Sequence, residues 1–414
     1  MKLEKFKQRD PKKIGITIFT VVCVLLVAGV FFYTSFASFQ TQQEFNIIHG
    51  TVGSNGDLYF AFYVDDVISK TMPQKGEGYV LDKEKTNCTK GASVEFNEND
   101  WSVKVLNMTE TRTKCTLYFE KEPPKATDVI LAKGETDELK FDGTADNNLR
   151  YIGADPNNYV SFNNELWRII GVFNNIDNGT GTKETRLKIV KNDPLSDGTI
   201  NAFIWDNSVI ENGKRVDGDN DWRVSGLQTL LNDTYYNSTS TVYDDDSINF
   251  STTGLSVQAR SLVDNAVWNL GSTATFNDVT TKMFYERERG TTVYEGRATE
   301  WTGKIGLIYP SDYGYATSGG GNTTRESCVN YVLYNWNNYT ECYSNDWLYT
   351  NKDFWLLTSF ANNYSVFNIE DTGQLNGQDA DAFSYSVYPS LYLSSNVKIT
   401  GGDGSESSPF ILSL

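Results

Sequence analysis

Leu166-Trp167-Arg168-Ile169-Ile170-Gly171-Val172-Phe173 reads as a compact apolar strand, and Leu187-Lys188-Ile189-Val190-Lys191 answers it with strict alternation. Asn-Gly and Gly-Thr steps between residues 178 and 182 supply the turn, so the pair reads as a β-hairpin. Downstream, Ser225 caps a helix with apolar positions Leu227, Leu230, Leu231 and Tyr235. Leu255, Ala259, Leu262, Val263 and Ala266 give a second amphipathic face, ended by Gly271. A strand follows over residues 304–309, and Pro310-Ser311-Asp312 opens a short turn or helix. Residues 316–350 are polar and rich in Gly and Asn, and read as a stapled excursion. The chain closes on strands at 354–359, 365–369 and 387–393, with Glu370-Asp371-Thr372-Gly373 as a hairpin turn. Interrupted strands with two helices and long loops mean an α+β fold.

On the N-terminal side, residues 45–120 alternate as short strands with turn residues between them. This predicts a small all-β, sandwich-like domain. Residues 121–144 begin with Lys-Glu-Pro-Pro-Lys and read as a semi-rigid linker to a distal domain over 145–414. Ahead of the β domain, residues 14–43 carry no charge, and residues 1–13 carry six basic side chains. At about 1.5 Å per helical residue, residues 14–36 are long enough to cross a hydrocarbon core of about 30 Å. The expected topology is a cytoplasmic tail (1–13), one membrane span (14–36), a stalk (37–44) and external domains. A cleaved signal peptide is the competing reading, but its apolar run would be shorter, and Ser35-Phe36-Ala37 makes a poor cleavage site.

The chain carries a formal charge of −17, and its basic start makes the remainder more acidic still. Long-range repulsion from such a surface argues against nucleic acid or anionic lipid as partner. Beyond the span there are four cysteines, Cys88, Cys115, Cys328 and Cys342, most simply two disulfides in sequence order. The single histidine, His49, leaves no credible Ser-His-Asp or Cys-His pair. Paired-carboxylate chemistry stays open. Asp217-Gly218-Asp219-Asn220-Asp221 is the most calcium-like string, yet Trp222 stands where such a loop needs Gly, and Gln228 where it needs Glu. No cofactor is expected.

Several stretches of the distal half resemble a known group: Leu166-Trp167-Arg168-Ile169-Ile170-Gly171, then Leu227-Gln228-Thr229-Leu230-Leu231-Asn232 with Tyr235-Tyr236-Asn237. Phe354-Trp355-Leu356-Leu357-Thr358-Ser359 and Tyr388-Pro389-Ser390-Leu391-Tyr392-Leu393 complete the set. The order is similar to that of Gram-positive bacterial surface proteins that end in a C-type-lectin-like domain. Thr358 and Tyr388 replace arginines usual in that group, and the tripeptides that hold calcium in its lectins are absent. The resemblance implies binding rather than turnover, on a loop-rich face. Residues 360–385 form the candidate recognition surface, with Asn362, Asn363, Tyr364, Gln374, Asn376, Gln378, Asp379 and Asp381 as ligand contacts. The functional expectation is a membrane-anchored recognition or adhesion protein for a glycan or protein ligand. The alternatives are a carboxylate-dependent cell-envelope enzyme and a surface-layer or pilus-like subunit.

Overall fold

The computed structural model describes residues 58–414, apart from 111, 208, 209, 212, 213, 216, 217 and 363. The basic tail, the expected membrane span and the stalk lie outside the described residues. Among the described residues, no helix is long and apolar enough to cross a membrane. Two compact units meet at Glu122/Pro123, at the diproline.

In the first unit, strand Leu58–Val64 runs parallel to Thr113–Lys121, which is antiparallel to Tyr79–Cys88. Asp65 and Asp66, both at positive φ, turn the chain tightly into the edge strand Val67–Ser69. A separate hairpin, Ser93–Asn97 with Ser102–Leu106, brings Phe96 onto Phe119. The long strand Tyr79–Cys88 escapes a reading by alternation because its middle is Asp-Lys-Glu-Lys. Cys88 and Cys115 sit directly opposite on adjacent strands and are disulfide-bonded.

The second unit is strand-rich α+β. Its nine-stranded sheet has Glu165–Asp177 near the centre, paired with Lys183–Lys191 on one side and Tyr159–Phe162 on the other. The turn between the two long strands is closed by Asp177, whose carboxylate accepts the Gly179 and Gly181 N–H groups. Leu149–Tyr151 also pairs with Glu165–Asp177, and does so over Gly171. A Cβ there would lie 2.3 Å from the Leu149 carbonyl oxygen, so only glycine allows the approach. A second sheet is the antiparallel meander Phe354–Ser359, Ser365–Ile369, Leu375–Asp379. As the spacing predicts, Ser225 caps helix Gly226–Thr229, which continues as a π-turn over Leu230–Tyr235. Pro310 opens helix Pro310–Tyr315.

Four expectations change. Residues 121–144 are not wholly a linker, because helix Ala126–Leu131 and strand Leu139–Phe141 bury Ala126, Ile130 and Leu139 in the distal core. The second amphipathic helix covers only Val257–Ser261. Ala266–Asn269 is a strand, burying Ala266 and Trp268 with the period of two that a pleated strand imposes. The stretch 316–350 is no excursion, since Cys328, Leu333, Trp336, Cys342 and Trp347 are buried in the main core, with Cys328 bonded to Cys342. Lys188, which strict alternation would turn to solvent, is fully buried because both faces of its strand are covered.

Lys188 belongs to a buried ionic cluster. Its Nζ lies 2.5 Å from Asp312 Oδ2, while Arg150 donates to Asp312 Oδ1 at 2.7 Å and to Asp142 Oδ2 at 2.9 Å. Burial alone would raise the Asp312 carboxyl, but Lys188 and Arg150 together hold it at about 2. Glu288, also fully buried, accepts the Ser311 N–H and hydroxyl. Burial pushes it up to about 7 against the pull of Arg289. Where an arginine was expected from the resemblance, Thr358 and Tyr388 stand. Arginines are buried elsewhere instead, among them Arg150 and Arg186, on other strands.

Arg150→Met strands the buried Asp142 carboxylate, and is expected to cost about 3–5 kcal/mol in urea unfolding. Glu288 binds its proton more tightly folded than unfolded. Its contribution is therefore complete below pH 4.5 and is lost as pH rises through about 7. Unfolding measured across that window should fall for the natural protein relative to Glu288→Gln, which cannot titrate.

Candidate functional site

A shallow recess, open at its mouth and with room for a single water-sized group, forms where three loops of the second unit converge on the meander. Asn220, Asp221 and Trp222 come from the segment before the Ser225 cap. Val293, Tyr294, Arg297 and Ala298 come from the loop between helix Thr281–Glu288 and strand Glu300–Gly303. Leu270 follows strand Ala266–Asn269, and Leu357 and Ser359 belong to Phe354–Ser359.

Turn chemistry places these residues. Asp219 Oδ1 accepts the Asp221 N–H, and Asp221 Oδ1 accepts the Arg223 N–H, so the string folds as successive side-chain-capped turns. The Asp221 carboxylate also pairs with the Arg223 guanidinium, and Asp219 pairs with Arg297 at 2.7 Å. The calcium-like string thus has two of its carboxylates committed to arginines; Asp217 lies outside the described residues. No cluster of three or more His, Cys, Asp or Glu side chains able to hold a metal occurs among the described residues.

Asn220 is 1% exposed. Its Nδ2 donates to the carbonyls of Phe360 and Ser365 and to Asn362 Oδ1. Its Oδ1 has no hydrogen-bond partner, and neither does the indole N–H of Trp222, which is 2% exposed. Trp222 packs on Trp205 and edge-on against Trp301, which fixes its plane. An acceptor and a donor, both buried and both unpaired, therefore belong to residues that line one recess. Leaving such groups unpaired costs about 1–3 kcal/mol each, and a hydroxyl or a water, donor and acceptor at once, would satisfy both. At the rim, Tyr294 is 40% exposed, and Arg297 lies 5.2 Å from its ring centroid.

The eight sequence-derived contacts separate. Asn362 does not line the recess but bonds to Asn220, which does: its Oδ1 accepts the Tyr364 and Ser365 N–H groups as well as the Asn220 amide. Asn363 lies outside the described residues. Tyr364 is exposed nearby, and its carbonyl accepts the Ala380 N–H. Asp379 pairs in register with Ser365 and accepts its hydroxyl, while Gln378 faces Val366. Asp381 packs against Gly218. Gln374 and Asn376 sit at the other end of the meander, where both donate to the Glu370 carboxylate. At about 3.3 Å per residue, Asn376 lies roughly 7 Å along the strand from Gln378 and roughly 10 Å from Asp379. The residues missed by sequence reading are Asn220, Trp222, Tyr294 and Arg297. Trp222 gave the one usable signal, an aromatic inside an acidic turn, where only burial explains it.

No family model, no curated protein and no solved structure matches this chain.

Asn220→Ala removes the brace on the 360–365 turn and is expected to cost about 1–3 kcal/mol. Hydrogen exchange at the Tyr364 and Ser365 amides should accelerate in this variant, with the long hairpin strands unchanged.

Proposed function

We propose that the protein is a cell-surface recognition module whose distal unit is C-type-lectin-like and binds a neutral, hydroxyl-bearing ligand, a glycan, in the recess. The observation that carries this reading is that Asn220 and Trp222, each with an unpaired buried polar atom, line the recess together with the exposed Tyr294. A sugar hydroxyl supplies the complementary donor and acceptor. A pyranose face offers C–H groups to the tyrosine ring, and Arg297 at the rim donates to ring or glycosidic oxygens. The recess has room for a single water-sized group, so one sugar hydroxyl enters it while the ring stays outside, at the rim against Tyr294. The acidic surface disfavours anionic polymers and leaves neutral glycans unopposed.

Two disulfide bonds fit a chain folded outside a reducing cytosol. With residues 14–36 as a membrane anchor, the recess would be displayed at the cell exterior.

A neutral-glycan array probed with the purified protein is expected to give saturable binding. Tyr294→Ala should weaken it about tenfold, the scale of one lost aromatic contact of roughly 1.4 kcal/mol, without lowering the melting temperature. Absence of binding across the array, or equal binding by Tyr294→Ala, would overturn the assignment.

A further inference from the structure

Lys188 and Asp312 are 124 residues apart in sequence and meet in the core of the distal unit, each no more than 1% exposed at the side chain. Among the described residues, the Lys188 ammonium donates to the Asp312 carboxylate alone. Aromatic rings enclose the rest of it, Tyr309 at 4.3 Å, Trp268 at 5.0 Å, Tyr392 at 5.4 Å and Phe173 at 5.7 Å. Arg150 Nη1 holds the other carboxylate oxygen, Oδ1, at 2.7 Å. Glu288 is anchored by both the N–H and the hydroxyl of Ser311, the residue next to Asp312.

We propose that Lys188 and Asp312 condense to an intramolecular amide, joining strand Lys183–Lys191 to helix Pro310–Tyr315. The ammonium first passes a proton to the carboxylate across the 2.5 Å contact, giving an amine and a carboxylic acid. The Nζ lone pair adds to Asp312 Cγ, forming the N–C bond. The surplus proton then passes from nitrogen to Oδ2 across the same short contact. The Cγ–Oδ2 bond then breaks, and that oxygen leaves as water with one proton from the acid and one from the amine. Nothing is oxidised or reduced, and no co-reactant is consumed.

Three features favour this step over a resting ion pair. The reacting groups are held in contact, which removes the entropy of bringing them together. Arg150 sits on Oδ1, where negative charge develops in the tetrahedral adduct, and can keep its bond to the amide carbonyl oxygen afterwards. Charge also balances in the product, because losing one cation and one anion leaves Arg150 paired with Asp142. The two cations disfavour the acid form of Asp312. Opposing them, burial lowers the Lys188 ammonium to about 8, so it gives up a proton near neutrality. The apolar cage keeps out the water that would reverse the bond.

Mass spectrometry of the reduced, denatured full chain tests this directly. The expected mass is one water below that of the sequence, with a branched peptide joining Lys188 to Asp312. Lys188→Arg should restore the full mass. Asp312→Asn should lose ammonia in place of water. The proposal fails if the natural protein has full mass, or if Lys188 and Asp312 are both recovered on linear peptides. Either reading comes from the unmutated chain, so poor folding of a variant cannot obscure it, and neither depends on glycan binding.

Discussion

The distal unit turns on one carboxylate shared between two cations. Asp312 lies where the strand carrying Lys188, the strand carrying Arg150 and the turn starting at Tyr309 come together, and its Oδ2 also accepts the Tyr309 N–H. Arg150 reaches on to Asp142, whose carboxylate also accepts from Asn148 and Thr144. Each group is desolvated, so each is tolerable only with its partners in place. An apolar core can slide by a methyl group at modest cost, whereas this cluster admits one register. That gives a reason for polar residues in strands that are otherwise continuous apolar runs.

The recess inherits its shape from the same packing. Trp268 and Tyr309 line the Lys188 cage. Strand Ala266–Asn269 carries Trp268 and leads directly into Leu270 at the recess wall. Strand Glu300–Gly303 pairs with it and returns the chain from the Tyr294–Arg297 loop. The loops are then tied to each other rather than to the core, through Asp219 to Arg297, Arg297 to the Asn362 carbonyl, and Asn220 to the 360–365 turn. Rigid strands set where the loops start, and hydrogen bonds between loops set where they end. This division suits a binding site, since the loop tips can vary while their bases stay fixed.

Sequence reading captured what local pattern controls. Apolar continuity gave the Glu165–Asp177 strand, the Gly-rich turn gave its hairpin, and Ser225 and Pro310 marked helix starts through capping and fixed φ. Reading failed where polar residues occupy buried positions. Helix Thr281–Glu288 buries Thr281, Phe284, Tyr285 and Glu288, a regular helical face, but two of its four members are polar, so the period is invisible to hydropathy. Lys188 misled in the same way. The recess was illegible for another reason: Asn220, Tyr294 and Ser359 belong to segments far apart in sequence, and only the completed fold brings them together. Residues 360–385 were read as one surface because they are contiguous, yet a meander places its two turns at opposite ends.

The two disulfides bear unequal weight for a reason visible in the cores. The loops they close, with sequence separations of 27 and 14, differ little in entropic terms, about 3–4 kcal/mol each in the chain-entropy account. What differs is the stability they add to. Among the described residues, the first unit's core has nine buried apolar side chains, Cys115 among them, whereas the second unit's core runs through both the nine-stranded sheet and the meander. So small a core is marginal on hydrophobic burial alone, and the Cys88–Cys115 bond contributes a large share of the total. Cys328–Cys342 instead ties together helices Arg325–Asn330 and Thr340–Ser344, with Trp336 between them already buried against Tyr313. Reduction should therefore be felt first as loss of the proximal unit, while the distal unit keeps its ionic core and its recess.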